Sequence, residues 1–252
     1  MTKQLINVIK NIYGKLNSAS HENRVSDVKK KIVENKLTYL SDAKLDMLIS
    51  ICLSNEANNI PGIIVETGCA LGGSSILMAS VKDKKRALRV YDVFGMIPPP
   101  SDKDGKDVHE RYNVIGSGKS KGIRGDNYYG YEEDLYNKVI SSFNDYGYQI
   151  ESNNIQLIKG LLQDTLKINE PISLAHIDVD WYEPVYISLE RIEPYISIGG
   201  AIVLDDYFDW SGCREATDEY FKDKKDQFSF NSSSESMVIV TQVSEFKSTI
   251  LR

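Results

Sequence analysis

Four aspartates in two pairs are the residues of this sequence best suited to chemistry. Asp178 and Asp180 follow one apolar run, and Asp205 and Asp206 follow another. Such runs are typical of buried parallel strands, whose carboxyl ends meet at the ligand-binding edge of an open α/β sheet. Four carboxylates brought together there would repel one another unless a divalent cation lay among them. The spacing therefore predicts a metal site whose oxygen ligands favour Mg²⁺, with Mn²⁺ or Ca²⁺ as possible occupants of the same cage.

A glycine-rich turn, E-T-G-C-A-L-G-G-S-S, joins the first predicted strand to the helix that follows it. Glycines let a backbone approach a ligand closely, and a helix N-terminus with serines donates hydrogen bonds. The spacing differs from the dinucleotide G-x-G-x-x-G and lacks the Lys-Ser/Thr of a phosphate loop, so a nucleoside triphosphate is disfavoured. The acidic side chain that precedes the turn suits a ligand with a cationic or amino group. The residues predicted to contact a cofactor here are Glu66, Thr67, Gly68, Gly72, Ser74 and Ser75.

Acidic and amide side chains also follow the next two predicted strands. Asp92 lies 24 residues beyond Gly68 at the tip of the second strand, where an acid typically hydrogen-bonds ribose hydroxyls. Gln163 and Asp164 follow the third strand, where an amide or an acid can meet an adenine amino group. Together with the glycine turn, these residues resemble the S-adenosylmethionine site of class I methyltransferases.

The elements that must position these residues alternate between strand and helix. This alternation predicts an α/β fold with a doubly wound, mostly parallel, seven-stranded sheet that carries helices on both faces. Helical patterns lie around residues 38–57, 72–81 and 132–146. Strands are predicted at residues 63–67, 86–93, 155–160, 172–178, 201–204 and 237–241, the last as an edge strand paired with 228–231.

Two segments depart from this alternation. Residues 95–131 are rich in glycine and hold a cluster of tyrosines, which favours a lid over a disordered insertion. Residues 1–60 are predicted to form a helical extension, with a polar, lysine-rich stretch at 17–36, and residues 61–252 to form the main domain. A helical stripe in the extension predicts packing on that domain or on a second copy in a homodimer or higher homo-oligomer. The stripe consists of Leu5, Val8, Ile9, Ile12, Tyr13 and Leu16.

The composition is that of an ordinary soluble globular protein, with 41% hydrophobic and 26% charged residues. A net charge of −6 provides no positive field, so nucleic acid is not an expected partner. No apolar stretch approaches the roughly 20 residues needed for a membrane span. Cys52, Cys69 and Cys213 are few and far apart, which argues against a disulfide framework or a zinc cluster and favours the cytoplasm.

From about Leu37 to Phe221, the chain resembles the macrocin O-methyltransferase family, whose members methylate sugar hydroxyls of natural products. The resemblance is carried by IPGIIVETGCALGGSS, YDVFGMIPPP, HIDVDWYEP and GGAIVLDDYFDWSGCREATDEY. It implies the Rossmann-like class I methyltransferase fold and the use of S-adenosylmethionine and magnesium. It also implies roles for the four aspartates. The implied metal ligands are Asp178, Asp205 and Asp206, and the implied general base is Asp180.

The implied reaction needs these residue types. Methyl transfer from a sulfonium is an in-line displacement, so the acceptor oxygen must be aligned with the methyl group and must lose its proton. A sugar hydroxyl is a poor nucleophile at neutral pH. A chelated divalent cation lowers the pKa of the hydroxyl, and an adjacent carboxylate accepts the proton.

Some candidates also have a structural interpretation. Asp180 is placed to cap a helix that begins near Glu183, since Asp is a favoured N-cap residue. Asp206 is either a ligand or a residue that orients Asp205.

Other polar residues are weaker candidates. His176 lies inside an apolar strand and is expected in the core, whereas His109 in the predicted lid is a reserve candidate for proton transfer. Arg191 is expected in a surface ion pair. Tyr220 and Lys224 match the Tyr-x-x-x-Lys spacing of short-chain reductases, but no dinucleotide motif accompanies them, and the match is attributed to chance.

Two other functions fit the same fold class. One is a nucleotide-dependent sugar-modifying oxidoreductase, and the other is a non-catalytic, methyltransferase-like scaffold. The four aspartates argue against the scaffold, because an idle site has no need to tolerate their repulsion. The sequence therefore predicts a metal-dependent O-methyltransferase that acts on a sugar-bearing small molecule or glycan precursor.

Overall fold

The computed structural model describes residues 19–241. The predicted N-terminal stripe, from Leu5 to Leu16, lies outside the described residues. Within them, no helix is both long enough and apolar enough to cross a membrane.

A seven-stranded sheet in the order β3-β2-β1-β4-β5-β7-β6 forms the centre of the molecule. The first five strands run parallel, whereas β7 pairs antiparallel with both β5 and β6. The predicted α/β fold with a mostly parallel, doubly wound sheet is therefore confirmed. The strands are β1 (Ile63–Thr67), β2 (Leu88–Asp92), β3 (Ile155–Lys159), β4 (Ile172–Ile177), β5 (Ile196–Leu204), β6 (Phe228–Ser233) and β7 (Ser236–Thr241).

The prediction that 237–241 forms the edge of the sheet is wrong. β7 lies between β5 and β6, and β6 is the edge strand. The side chains explain this order, because Val238 and Ile239 of β7 are buried, whereas Phe230 and Asn231 of β6 are exposed. A strand with apolar side chains on both faces is stable only where neighbouring elements cover both faces, whereas a strand with polar side chains can lie at the solvent-exposed edge of the sheet.

Eight α-helices are found among residues 19–241. The segment at 17–36, predicted only as polar and lysine-rich, contains the first of them. The sequence indicates this helix through the three- and four-residue spacing of Val25, Val28 and Ile32, whose side chains are buried on one face of it. The helices are α1 (Ala19–Glu34), α2 (Asp42–Ala57), α3 (Gly73–Val81), α4 (Lys106–Gly116), α5 (Leu135–Asp145), α6 (Leu162–Thr165), α7 (Tyr182–Ile192) and α8 (Ser211–Phe221).

Both faces of the sheet are covered by apolar cores, as the sequence predicted. Helices α1, α2, α3 and α5 pack on one face together with Ile64 of β1, whereas α6, α7 and α8 pack on the other together with Val65. Neighbouring residues of a strand point to opposite faces, which places these two residues in different cores. The helices before β1 thus share a core with the sheet.

The segment predicted as a lid, residues 95–131, is ordered around α4. Val108 and Ile115 of α4 pack with Tyr128 and Trp181 in a small separate core. Two aspartates fasten the segment to the main domain. The carboxylate of Asp104 accepts a hydrogen bond from the backbone N–H of Tyr182 (2.7 Å), and that of Asp107 accepts one from Ser211 N–H (2.9 Å). The segment therefore caps the N-termini of α7 and α8, the two helices that follow the aspartate pairs.

Candidate active site

Three of the four aspartates converge at the ends of β4 and β5. The strands are paired in register up to Ile177 and Leu204, so the residues that follow lie side by side. Asp178, Asp205 and Asp206 each offer a carboxylate oxygen, and these oxygens lie within 4.8 Å of one another. The structure thus brings together the predicted metal ligands.

The charge of this acid cluster is only partly compensated. Burial raises the pKa of Asp178 well above its usual range, and repulsion from Asp205 adds to the effect. Burial likewise raises the pKa of Asp206, with contributions from Asp180 and Asp178. Asp178 is partly exposed and Asp206 is buried, and two such carboxylates that resist ionisation form a site that an added positive charge would stabilise.

The donor set fits a hard divalent cation. Ligand oxygens around octahedral Mg²⁺ are about 3 to 4 Å apart, because each lies about 2.1 Å from the ion. The oxygens of the acid cluster, within 4.8 Å of one another, lie close to this spacing. Neutral imidazole and thiolate ligands, which favour softer metals, are not part of it.

Asp205 differs from its neighbours because cationic groups face it. Burial raises its pKa, but His176 and Lys44 outweigh this effect and hold the pKa below the usual range. The Lys44 ammonium donates to Asp205 Oδ2 (2.9 Å), to the Asp205 carbonyl oxygen (3.1 Å) and to Asp209 Oδ2 (3.0 Å). Sequence reasoning missed Lys44. The sequence did contain an indication, because Lys44 lies four residues before Leu48 and eight before Cys52, which places it on the buried face of α2.

Asp180 lies at the border of the acid cluster with a strained backbone. Its φ of +57° is in the left-handed region, and its N–H donates to Asp206 Oδ2 (3.2 Å). The interpretation of Asp180 as an N-cap is wrong, because Trp181 is the N-cap residue of α7 and Asp104 accepts the N–H of Tyr182. Burial, followed by the charge of Asp205, raises the pKa of Asp180 to about 6.

Beneath the cluster lies a fully buried polar chain. His176 Nδ1 is 2.8 Å from Glu66 Oε1, and the Ser75 hydroxyl donates to the other Glu66 oxygen. Burial lowers the pKa of His176, but Asp205 and Glu66 outweigh burial and raise it to about 10. The placement of His176 in the core is as expected.

Three predicted cofactor contacts need correction. The side chains of Glu66, Thr67 and Ser75 have no solvent exposure and line neither of the cavities described below. Glu66 is held by Ser75 and His176, and the hydroxyl of Thr67 lies 3.4 Å from that of Ser188. The alternation of β1 directs the side chains of Glu66 and Thr67 towards opposite faces of the sheet, and Ser75 of α3 meets Glu66 there, so all three support the glycine turn from inside the protein.

The glycine turn itself follows β1 closely. Gly68 has a φ of +81°, and a Cβ at this position would lie 1.8 Å from the carbonyl oxygen of Asp178, so only glycine fits. Gly72 has a φ of +87° and precedes α3, where a Cβ would lie 3.0 Å from Val139. Gly68 and Ser74 line the larger of the two cavities described below, whereas Gly72 packs against α5 and lines neither of them.

Asp92 shapes this turn and also faces the cavities. Its Oδ2 accepts hydrogen bonds from Cys69 N–H (2.7 Å) and Ala70 N–H (3.3 Å), and its Oδ1 accepts one from Phe94 N–H (2.6 Å). Burial raises its pKa. Of the pair after β3, Gln163 lines a cavity, but Asp164 in the first turn of α6 does not, so its predicted contact is not supported.

Two adjoining cavities open above the strand tips. The smaller, of about 110 Å³, extends from Gly68 past the ends of β2 and β3 to Gln163. The larger, of about 500 Å³, extends from the acid cluster to residues 37–40 and to Arg111 of the inserted segment. The two share one wall. It consists of Gly68, Asp92, Tyr129, Asp178, Asp180 and Trp181.

Other candidates lie away from this wall. His109 lines neither cavity, which leaves it without support as a proton carrier. The predicted surface ion pair of Arg191 is wrong, because its guanidinium donates to the carbonyl oxygens of Leu162 (2.7 Å) and Gln163 (2.9 Å) in α6. The hydroxyl of Tyr220 and the ammonium of Lys224 both donate to Glu193, which gives this pair a structural role.

The sheet order and the strand-tip site define a Rossmann-like α/β protein with the fold of methyltransferases. The structure of the O-methyltransferase NovP matches it with a TM-score of 0.63 and 23% identity, and the match covers 79% of each chain. Residues 10–231 match the model of the macrocin-O-methyltransferase (TylF) family, and the chain belongs to this family.

Two curated relatives are similar over part of their length. Demethyldecarbamoylnovobiocin O-methyltransferase of Streptomyces niveus is 28% identical over 175 residues. The 8-demethyl-8-(2,3-dimethoxy-alpha-L-rhamnosyl)-tetracenomycin-C 4'-O-methyltransferase of Streptomyces olivaceus is 30% identical over 176 residues. Each match covers 65% of this chain and 59% of the relative, so the chain spans less than two thirds of the relatives' length.

Proposed function

We propose that this protein transfers a methyl group from S-adenosylmethionine to a sugar hydroxyl and requires a divalent cation to do so. The observation that carries the proposal is the wall shared by the two cavities, in which Asp178 and Asp180 face both. A cofactor in the smaller cavity and an acceptor in the larger would meet there. Such a meeting point would bring donor and acceptor close enough for an in-line displacement.

The smaller cavity suits S-adenosylmethionine, which supplies a methyl group activated on a sulfonium. Gly68 allows close approach of a ligand to the backbone, and Asp92 and Gln163 present oxygens for hydroxyl and amino groups. Asp92 also holds the turn in place through the N–H groups of Cys69 and Ala70. The cofactor residues that we propose in this cavity are Gly68, Asp92 and Gln163, whereas Ser74 lines the larger cavity, and its contact with the cofactor stays a prediction.

The acid cluster suits Mg²⁺, with Mn²⁺ or Ca²⁺ as alternatives. Its residues Asp178, Asp205 and Asp206 would hold the cation, which when bound supplies Lewis acidity to a hydroxyl in the larger cavity. Asp180 is the proposed general base. With a pKa raised to about 6, Asp180 is ionised at neutral pH yet more basic than an ordinary aspartate.

The larger cavity suits an acceptor with sugar character. Its walls include the rings of Tyr39, Tyr128, Tyr129 and Trp210, which can pack against the C–H faces of a sugar while the hydroxyls meet the carboxylates. The names of both curated relatives specify O-methylation, one of them of a rhamnosyl tetracenomycin. We therefore propose a glycosylated small molecule or a glycan precursor as the acceptor class.

The test measures methyl transfer from labelled S-adenosylmethionine to a panel of glycosides and nucleotide sugars, with and without chelator. We expect turnover that chelator abolishes and Mg²⁺ restores. Calorimetry with S-adenosylmethionine and NAD(P)H separates this proposal from the oxidoreductase alternative. Binding of NAD(P)H alone would contradict the proposal, and turnover indifferent to chelator would remove the metal from it.

A cytoplasmic location and assembly into a homodimer or higher homo-oligomer stay predictions. Cys52, Cys69 and Cys213 are all buried and unpaired, which is compatible with a reducing compartment. Gel filtration with light scattering measures the oligomeric state.

A further inference from the structure

Lys44 is a buried cation next to the acid cluster, and no step of the proposed reaction uses it. It is 6% exposed and lies near the start of α2, far in sequence from the aspartates that it contacts. A buried ammonium needs a partner for each of its three N–H groups. It has three such partners, all of them oxygens of Asp205 and Asp209.

These contacts exclude a simple role in binding the acceptor. Lys44 lines the larger cavity, but its three donors are already used by the carbonyl and Oδ2 of Asp205 and by Asp209. A substrate oxygen would have to displace one of them. All three N–H groups of the ammonium therefore bind oxygens of the protein, and none is left for a substrate.

Charge is distributed unevenly over the acid cluster. Asp205 is held by Lys44 on Oδ2, while Ser236 lies 3.4 Å and His176 Nε2 lies 3.9 Å from Oδ1. For Asp178 and Asp206, by contrast, the charges that act most strongly are those of other carboxylates. The protein thus places a positive charge in direct contact with one ligand, whereas His176 and Lys44 offset the repulsion at the other two only in part.

We propose that Lys44 is a built-in counter-cation, which holds Asp205 in place before a divalent ion binds and weakens the binding of that ion. The proposal rests on the metal site of the proposed function. Lys44 shares Asp205 with the ion and repels it across a few ångströms. Even in a medium as polar as water, one unit charge at that distance from a divalent ion changes the binding constant about tenfold. Lys44 is thus a positioning residue.

The experiment measures Mn²⁺ binding to the full chain by electron paramagnetic resonance. Lys44→Met removes the charge and keeps the apolar stem, Lys44→Gln keeps two donors, and Lys44→Arg keeps the charge. Lys82 provides a matched control, because it is 7% exposed and its ammonium donates only to backbone carbonyl oxygens. Circular dichroism and thermal melting without metal establish that each variant is folded.

We expect Lys44→Met and Lys44→Gln to bind Mn²⁺ at least about tenfold more tightly than the unchanged protein. Without metal, both should melt at a lower temperature, and Mn²⁺ should restore the loss. Lys44→Arg should bind Mn²⁺ as the unchanged protein does, and Lys82→Met should melt lower without a change in Mn²⁺ affinity.

Two results would overturn the role of Lys44 while leaving the proposed function intact. One is unchanged or weaker Mn²⁺ binding by folded Lys44→Met and Lys44→Gln. The other is equal tightening in Lys82→Met. If Mn²⁺ bound to Lys44→Met but not to the unchanged protein, the role of Lys44 as a counter-cation would be supported, and the use of a metal by the unchanged protein would be contradicted. The absence of Mn²⁺ binding in every variant would contradict both proposals.

Discussion

Replacement of Asp104 by alanine tests how the inserted segment supports the acid cluster. This carboxylate is 7% exposed and accepts hydrogen bonds from Tyr182 N–H (2.7 Å), Ser101 N–H (2.9 Å) and the Ser101 hydroxyl (3.1 Å). Tyr182 begins α7, directly after the loop that carries Asp178 and Asp180. Alanine would leave a buried N–H without a partner and would remove a negative charge from a helix N-terminus.

The expected loss follows from these contacts. Leaving a buried donor unsatisfied costs about 1–3 kcal/mol, and losing a capping side chain costs about 1 kcal/mol. We therefore expect Asp104→Ala to lower the free energy of unfolding by about 2–4 kcal/mol. For a chain of this size, each kcal/mol corresponds to about 2–4 °C in melting temperature. Asp104→Asn should lose about half as much, because one amide can replace only one of the two carboxylate oxygens as an acceptor.

Asp107 provides the matched control, since it caps α8 in the same way. Its carboxylate accepts hydrogen bonds from the backbone N–H and the hydroxyl of Ser211, but its side chain is exposed. Water can replace the Asp107 carboxylate as the acceptor, so Asp107→Ala should lower the free energy of unfolding by about 1 kcal/mol or less. Guanidinium denaturation followed by circular dichroism measures both values. Equal losses for the two variants, or a loss below about 1 kcal/mol for Asp104→Ala, would refute the argument.

Three further outcomes follow from the site. Asp180→Asn should bind cofactor and Mn²⁺ normally in calorimetry but lose at least about 100-fold in kcat, and retained turnover would remove it as the base. Gly68→Ala should lose both ligands and be markedly destabilised, because its Cβ would meet the Asp178 carbonyl oxygen; normal binding would show that the turn can shift. Without metal, stability should fall as pH rises from about 4 to 10. The raised pKa of Asp180 contributes stability that is complete below pH 4 and lost as pH rises through about 6, and the raised pKa of His176 contributes stability that is complete below pH 6.5 and lost as pH rises towards 10. The raised pKa values of Asp178 and Asp206 act in the same direction. A flat profile in denaturant titrations would contradict this sign.

Much of the sheet and the acid cluster could be predicted from local sequence. Apolar runs that end in aspartate place Asp178 and Asp205 at neighbouring strand tips, because parallel strands leave little choice of direction. The order of the last two strands could not be read in this way. It depends on how much of β6 and β7 is covered, which is a property of the whole fold rather than of either strand.

The failed predictions concern contacts between distant parts of the chain. Glu66 and Ser75 stand in a turn that suits a ligand, yet each satisfies the other inside the core. Lys44 resembles any lysine of an amphipathic helix until α2 is packed against the sheet. Arg191 likewise finds backbone carbonyl oxygens that no charge pattern reveals. Sequence motifs indicate which groups lie near strand tips, but packing decides which of them face the ligand.

If the proposed function holds, the wall shared by the two cavities restricts how the acceptor could change. A substitution at Asp178, Asp180, Tyr129 or Trp181 would alter the surroundings of the proposed cofactor and acceptor together, so specificity could not be changed there without a cost in methyl transfer. Residues 37–40 and Arg111 border the larger cavity alone. Variation in acceptor choice, whether by evolution or by engineering, should therefore concentrate in the segment between α1 and α2 and in α4.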